Sequence, residues 1–404
     1  MSLHSRWQFL TGAVGIGTMS ISGCLSGRST NGSCSDGRFQ YSSDVSLDGT
    51  EAWPMYRYDA ANSGYNPDAQ GPKTGVETAW RYSACSEADS RIAVSDGRVY
   101  AGGAVFDGRT GERIRGEWFE SSGSPSVVDG TVYVTGNGLE ARSAATGDER
   151  WAFRPNRGGG ILSAPTVAAD TVYVPGSNTV LYGIDAATGD ERWRFETEGR
   201  IETTPAVSDG TVYAVDKTNT LYAISAETGE KRWRANQDVD CWRSAPAVAN
   251  DRLFLGSCDR TVRAVDTADG STVWQQTNEI DVPIRRPIAA TEMTVFAAGD
   301  DGTVVALDAA TGRLEWRQTV DAYELGAPVV ADEVVYVGEP SRGPSGKLFA
   351  LDVGDGTVRW QFATRAVDFG DYTRAGITHG PVVFDGVVYA STAPGDLYAL
   401  LEHQ

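Results

Sequence analysis

The chain has 404 residues, with 35 Lys and Arg against 54 Asp and Glu and a formal net charge of −19. Such a surface repels nucleic acid and anionic lipid, which excludes both as direct partners. Only Lys73, Lys217, Lys231 and Lys347 among the basic residues are lysines. An acid-rich, lysine-poor composition points to a halophile, because carboxylates hold hydration where salt screens charge over short distances; a moderately acidic mesophile is the alternative.

Residues 1–23 read as an export signal: basic Arg6, an apolar stretch from Phe9 to Ile21, then small residues before Cys24. The stretch is too short and Gly-rich for a membrane span. Ile21-Ser22-Gly23-Cys24 resembles the lipobox of prokaryotic lipoproteins, which makes Cys24 the expected lipid anchor. SRWQFL resembles a twin-arginine export motif, with Trp7 in place of the second arginine. The expected location is the outer face of the cell membrane, held by lipid. Residues 24–52 are polar and rich in Gly and Ser at their start, and read as a flexible tether. Four further cysteines allow three pairings. Cys241 and Cys258 flank the predicted hairpin SAPAVANDRLFLGS, which favours that pair and leaves Cys34 with Cys85; four independent thiols are the alternative.

Residues 53–404 form the expected folded domain. AATGDERW occurs at 144–151 and again at 186–193. Relatives of it end at Trp233, Trp274, Trp316 and Trp360, so that from Trp151 onward the steps are 42, 40, 41, 42 and 44 residues. One unit, SAPTVAADTVYVPGSNTVLYGIDAATGDERWRF (163–195), holds four short β-branched and aromatic runs separated by turn residues. Four antiparallel strands per unit of about 40 residues is the signature of a β-propeller blade. The first unit, 91–115, is degenerate and carries Arg115 where the others carry Trp. The last, 380–404, stops after its third strand. VETAWRY at 76–82 supplies Trp80 and the missing strand. The expectation is all-β: an eight-bladed β-propeller of four-stranded antiparallel blades, closed by the strand from Val76 to Tyr82.

On these repeats the sequence resembles the pyrroloquinoline-quinone-like (PQQ-like) propeller family, through its AxDxxTGxxxW element. The resemblance implies that Trp80, Trp151, Trp193, Trp233, Trp274, Trp316 and Trp360 dock on glycines of adjacent blades. The implied platforms are Gly111, Gly147, Gly189, Gly229, Gly270, Gly312 and Gly356. WPMYRYDAANSGYNP (53–67) resembles the family's lead-in, and is expected to cover one end of the ring rather than to bind anything.

Two functional readings follow. Quinoprotein dehydrogenases of this family hold their quinone at the channel mouth, beside calcium bound by Glu, Asn and Asp, against a disulfide of adjacent cysteines. No two cysteines here are adjacent, so neither PQQ nor calcium is expected, and no catalytic residue is assigned. His379 is a lone loop histidine and reads as structural or solvated. The favoured reading is a monomeric, non-catalytic scaffold that binds a protein partner. A lipid-anchored member of the family that helps assemble outer-membrane proteins in Gram-negative bacteria is similar in blade count, repeat and lipobox. A halophilic archaeon, the expected source, has no such membrane, so its partner would differ. The long blade-to-blade and strand-2/3 loops emerge on one face. There Arg91, Arg157, Arg200, Arg243, Arg285, Arg286 and Arg374, with Trp242, mark a possible site for an anion or acidic partner. The alternative pairs each arginine with a nearby acid such as Asp240, Asp281 or Glu202.

Overall fold

A computed structural model describes residues 37–41, 45, 47, 52–83, 91–116, 125–155, 160–161, 163–236, 244–277, 279–340, 346–368, 373–377 and 379–403. The signal, Cys24, Cys34, Cys85 and Cys241 lie outside the described residues.

Each repeat becomes one twisted antiparallel sheet. In blade 3 the strands are Thr166–Ala168, Thr171–Pro175, Val180–Asp185 and Glu191–Glu196, paired in chain order. The first three alternate apolar side chains toward both neighbouring blades, so their apolar positions are buried on both faces. The fourth strand exposes every second residue and buries only its tryptophan. Tight turns join the first two strands; at Asn250–Asp251 both residues have positive φ (48° and 56°), as a two-residue hairpin loop requires.

Blades 1 to 7 span 93–115, 126–153, 166–196, 206–236, 247–276, 289–319 and 329–363. Blade 8 combines Val382–Phe384, Val387–Ser391 and Asp396–Glu402 with Val76–Ser83 from the other end of the chain. The ring is thus eight-bladed and closed as the repeat count requires. Gly37–Gln40 adds a fifth strand outside Val76–Ser83, and Val45 packs into the core beside it. Within the segment read as tether, Gly37–Gln40 and Val45 thus contact the propeller: the outer edge of Val76–Ser83 offers unpaired backbone groups that Gly37–Gln40 satisfies.

Neighbouring blades are locked by one recurrent contact. Asp185 caps its turn by accepting from the backbone N–H groups of Ala187 and Thr188, which brings Gly189 to φ 78°. A Cβ on Gly189 would meet the Trp151 ring at 2.6 Å, so the indole lies directly on the glycine. Trp151 Nε1 donates to the carbonyl of Ala186 at 3.0 Å, and the Tyr133 hydroxyl donates to the same oxygen at 3.2 Å. The same arrangement places Trp80 on Gly111, Trp193 on Gly229, Trp233 on Gly270, Trp274 on Gly312 and Trp316 on Gly356.

Two seams depart from it. Arg115 takes the indole's place and donates to the carbonyls of Thr146 and Ala145, on the turn that holds Gly147. Trp360 donates instead to the carbonyl of Pro72 at 2.9 Å, which also accepts from Tyr336 at 3.1 Å. The cause is topological. Blade 8 draws its third and fourth strands from opposite ends of the chain, so it has no turn between them, and the stretch between the lead-in and Val76 supplies the acceptor.

That lead-in lies inside the ring. Trp53 pairs with Val94 of blade 1, and the carbonyl of Pro54 accepts from Val127 of blade 2. The carbonyls of Ala60, Ala61, Ser63 and Gly64 accept in turn from Val207, Val248, Ala290 and Val330, on the inner strands of blades 4 to 7. Gln70 accepts from Gly386 of blade 8, while Met55 and Ala60 pack beside Val167 of blade 3. The expected cover is thus a plug that satisfies inward-facing backbone donors around the channel.

Candidate functional site

The plug leaves a cavity of about 200 Å³ at one mouth of the channel. Its wall comes from blade-to-blade segments around the ring, and Trp53, Tyr56 and Arg57 of the plug line it as well. Among the described residues the lining holds four guanidiniums, Arg57, Arg91, Arg285 and Arg286, and one carboxylate, Glu202. In a chain of net charge −19 this is a local reversal of sign.

Arg57 is the deepest of the four, with 5 % of its surface exposed. Its Nη1 and Nη2 donate to the carbonyls of Pro328 at 2.5 Å and Ile288 at 2.7 Å, tying the plug to blades 7 and 6. Arg57 and Tyr58 have φ of 60° and 81°, backbone strain held by the surrounding contacts. Gly64 makes room for the group: a Cβ there would sit 2.0 Å from Nη2. Burial lowers the Arg57 pKa to about 10, so the guanidinium stays charged at neutral pH. The nearby Asp59 carboxyl accepts from the Ser63 hydroxyl and N–H, and burial pushes its pKa up.

At the rim, Arg285 pairs with Asp300 and Arg286 with Glu324. Arg91 Nε donates to His379 Nδ1 at 3.3 Å and the guanidinium stands over the Tyr56 ring. Of the acids named from sequence, Asp281 pairs with Arg317 and Glu202 with Lys217, while Asp240 lies outside the described residues. Arg91, Arg285 and Arg286 are brought together with His379. Arg200 is exposed and does not line the cavity. Arg157, Trp242 and Arg243 lie outside the described residues, as does the side chain of Arg374, whose backbone forms the short strand Thr373–Arg374. Cys258 is disulfide-bonded.

Sequence reasoning missed Arg57, which it placed in a covering segment. The available signal was an arginine between two tyrosines in a lead-in with few other charges.

Calcium takes six to eight oxygen ligands, several of them carboxylate. Among the described residues no three His, Cys, Asp or Glu side chains converge, and Glu202 is engaged by Lys217. The described mouth does not fit the calcium of a quinoprotein. No helix among the described residues is long and apolar enough to cross a membrane.

Eight four-stranded blades joined by tryptophan docking define the PQQ-like β-propellers. The model of the family described as "Outer membrane protein assembly factor BamB" matches residues 95–199, 136–258, 177–290 and 258–403, and the chain belongs to that family. Among solved structures, BamB from Moraxella catarrhalis is similar at 19% identity and TM-score 0.64, over 81% of this chain and 99% of that one. Quinohemoprotein alcohol dehydrogenase from Comamonas testosteroni is similar at 15% identity and TM-score 0.68, over 87% and 81%. A europium-containing methanol dehydrogenase is similar at 14% identity and TM-score 0.65, over 88% and 98%. At these identities the likeness is one of fold. No curated protein sequence matches the chain.

Proposed function

We propose that this protein is an exported scaffold, held at the membrane by lipid on Cys24, that binds a protein partner on the face where the blade-to-blade loops emerge. The observation that carries the reading is the state of the channel. The chain's own residues 53–70 are hydrogen-bonded to blades around the ring, and the described lining of the mouth holds four guanidiniums and one engaged carboxylate. A dehydrogenase of this fold needs a carboxylate-rich cation site there, and the described lining supplies none. Family membership agrees, since the family is described as an assembly factor. Function on a rigid scaffold concentrates in its loops, and described blade-to-blade residues line this mouth.

The test is affinity purification of the tagged protein from its own membranes after light cross-linking, read by mass spectrometry. A recurrent partner cross-linked to the loop face is the expected result. Recovery of the protein alone, with absorbance above 300 nm from a bound chromophore, would overturn the reading.

A further inference from the structure

Three residues of the mouth each carry a buried polar atom that lacks a hydrogen-bond partner among the described residues: Arg57 Nε, Arg286 Nε and Thr203 Oγ1. Each has an N–H or O–H to donate. Buried donors are rarely left unpaired, and each costs about 1–3 kcal/mol when it is. Arg57 carries a further deficit. It forms no ion pair among the described residues, although it is almost wholly removed from solvent. Buried charges elsewhere are paired or hold a ligand.

From these unpaired donors and the four guanidiniums of the described lining we infer that the mouth is a socket for a single carboxylate, offered as an Asp or Glu side chain of the partner polypeptide. The inference rests on the scaffold reading and names the chemistry by which the partner is recognised. A planar carboxylate matches the fork of a guanidinium, which donates in parallel to both oxygens. The small volume admits the end of one side chain, while Trp53 and Tyr56 offer aromatic surface to its methylene stem. Arg285 and Arg286 hold their own acids at the rim, Asp300 and Glu324. The incoming group therefore meets the buried Arg57 guanidinium, with Asp59 nearby, beneath two rim arginines that already hold acids, which favours one carboxylate over a polyanion. Binding would neutralise Arg57 where burial now opposes its charge.

The probe is the acetylated, amidated tetrapeptide Gly-Glu-Glu-Gly, titrated calorimetrically into the intact protein beside its Gly-Gln-Gln-Gly counterpart and inorganic phosphate. We expect saturable binding of the acidic peptide alone. Arg286→Gln should weaken it by about tenfold or more, and Thr203→Val by about threefold or more. Arg200→Gln, which lies off the cavity, should leave it unchanged. Both mouth variants alter partly exposed positions, and a native near-ultraviolet circular dichroism spectrum confirms that they fold. Equal binding of the two peptides, tighter binding of phosphate, or no loss in either mouth variant would overturn the socket. The cross-linked purification, repeated with Arg286→Gln, separates the two ideas. A partner retained equally by wild type and variant removes the socket and leaves the scaffold. Acidic peptide bound with no partner captured upholds the carboxylate site and removes the scaffold.

Discussion

Replacing Gly229 by alanine adds two penalties that a second glycine in the same blade separates. Gly229 has φ 71°, and a Cβ there would lie 2.7 Å from Cγ and Cδ2 of Trp193 and 2.8 Å from its Cβ. Gly210 has φ 66°, but its Cβ would meet only Arg232 Nη2, at an ordinary 3.8 Å. Left-handed backbone costs a residue with a Cβ about 1–2 kcal/mol, and this applies equally to both sites. Forcing a methyl into a packed contact costs about 1–3 kcal/mol more, and applies to Gly229 alone. Gly210→Ala should therefore destabilise by about 1–2 kcal/mol and Gly229→Ala by about 2–5 kcal/mol. The entropy that alanine removes from the unfolded chain is shared and cancels in the comparison. Guanidinium denaturation, compared at a common m-value, measures both. In a Trp193→Ala background the methyl loses the two ring contacts and meets only the Cβ at 2.8 Å, so the gap between the two glycine variants should narrow. Equal costs in the wild-type background, or a difference undiminished without the indole, would refute the claim that docking is sterically tight.

Other outcomes follow from single sites. Glu339 is 2 % exposed, its Oε2 has no partner among the described residues, and burial pushes its pKa up. A raised folded pKa means stability that is complete below the unfolded carboxyl pKa, about 4.3, and is lost as pH rises through the folded value. Glu339→Gln should therefore raise the melting temperature at neutral pH, and the gain should vanish near pH 4; a constant gain at all pH would contradict this. Asp216, 2 % exposed, accepts from Gly199 N–H at 2.8 Å, Thr218 N–H at 2.9 Å and hydroxyl at 2.7 Å, Thr220 N–H at 3.1 Å and Tyr222 at 3.0 Å. Asp216→Asn turns one acceptor into a donor facing donors, and should cost about 2–4 kcal/mol in denaturant titration. Cys241 is the partner we expect for Cys258, and non-reducing peptide mapping should recover the two linked; Cys258 joined elsewhere would exclude that pair.

The blades were legible because docking makes the same physical demand at each seam. A left-handed platform selects glycine, a turn cap selects Asp or Ser, and an indole fills the face, so the same letters return. The closing strand was legible for the same reason, since 380–404 lacked a Trp-bearing strand and 76–82 had one to spare. Where a seam meets the demand differently, the letters fail. Arg115 reaches two carbonyls with a guanidinium, and Pro72 offers Trp360 a carbonyl that any residue could offer. The plug was opaque because it contributes mostly main-chain oxygens, which leave no periodic mark. Gly37–Gln40 was hidden likewise, its strand being short and half polar. At the mouth, sequence found Arg91, Arg285 and Arg286 from their place before inner strands. It missed Arg57 because burial of a charge is a property of what surrounds it.

The plug also bears on how this protein can evolve. In an array whose units touch only their neighbours, gaining a unit is a local event. Here the segment 53–70 addresses successive blades in order, passing from Val94 at its start to Gly386 at its end. A duplicated blade would set every later carbonyl against the wrong strand, and a lost one would leave surplus chain in a narrower channel. A stretch without any repeat of its own therefore acts as the gauge for the ring, and holds the count at eight while individual blades are free to diverge.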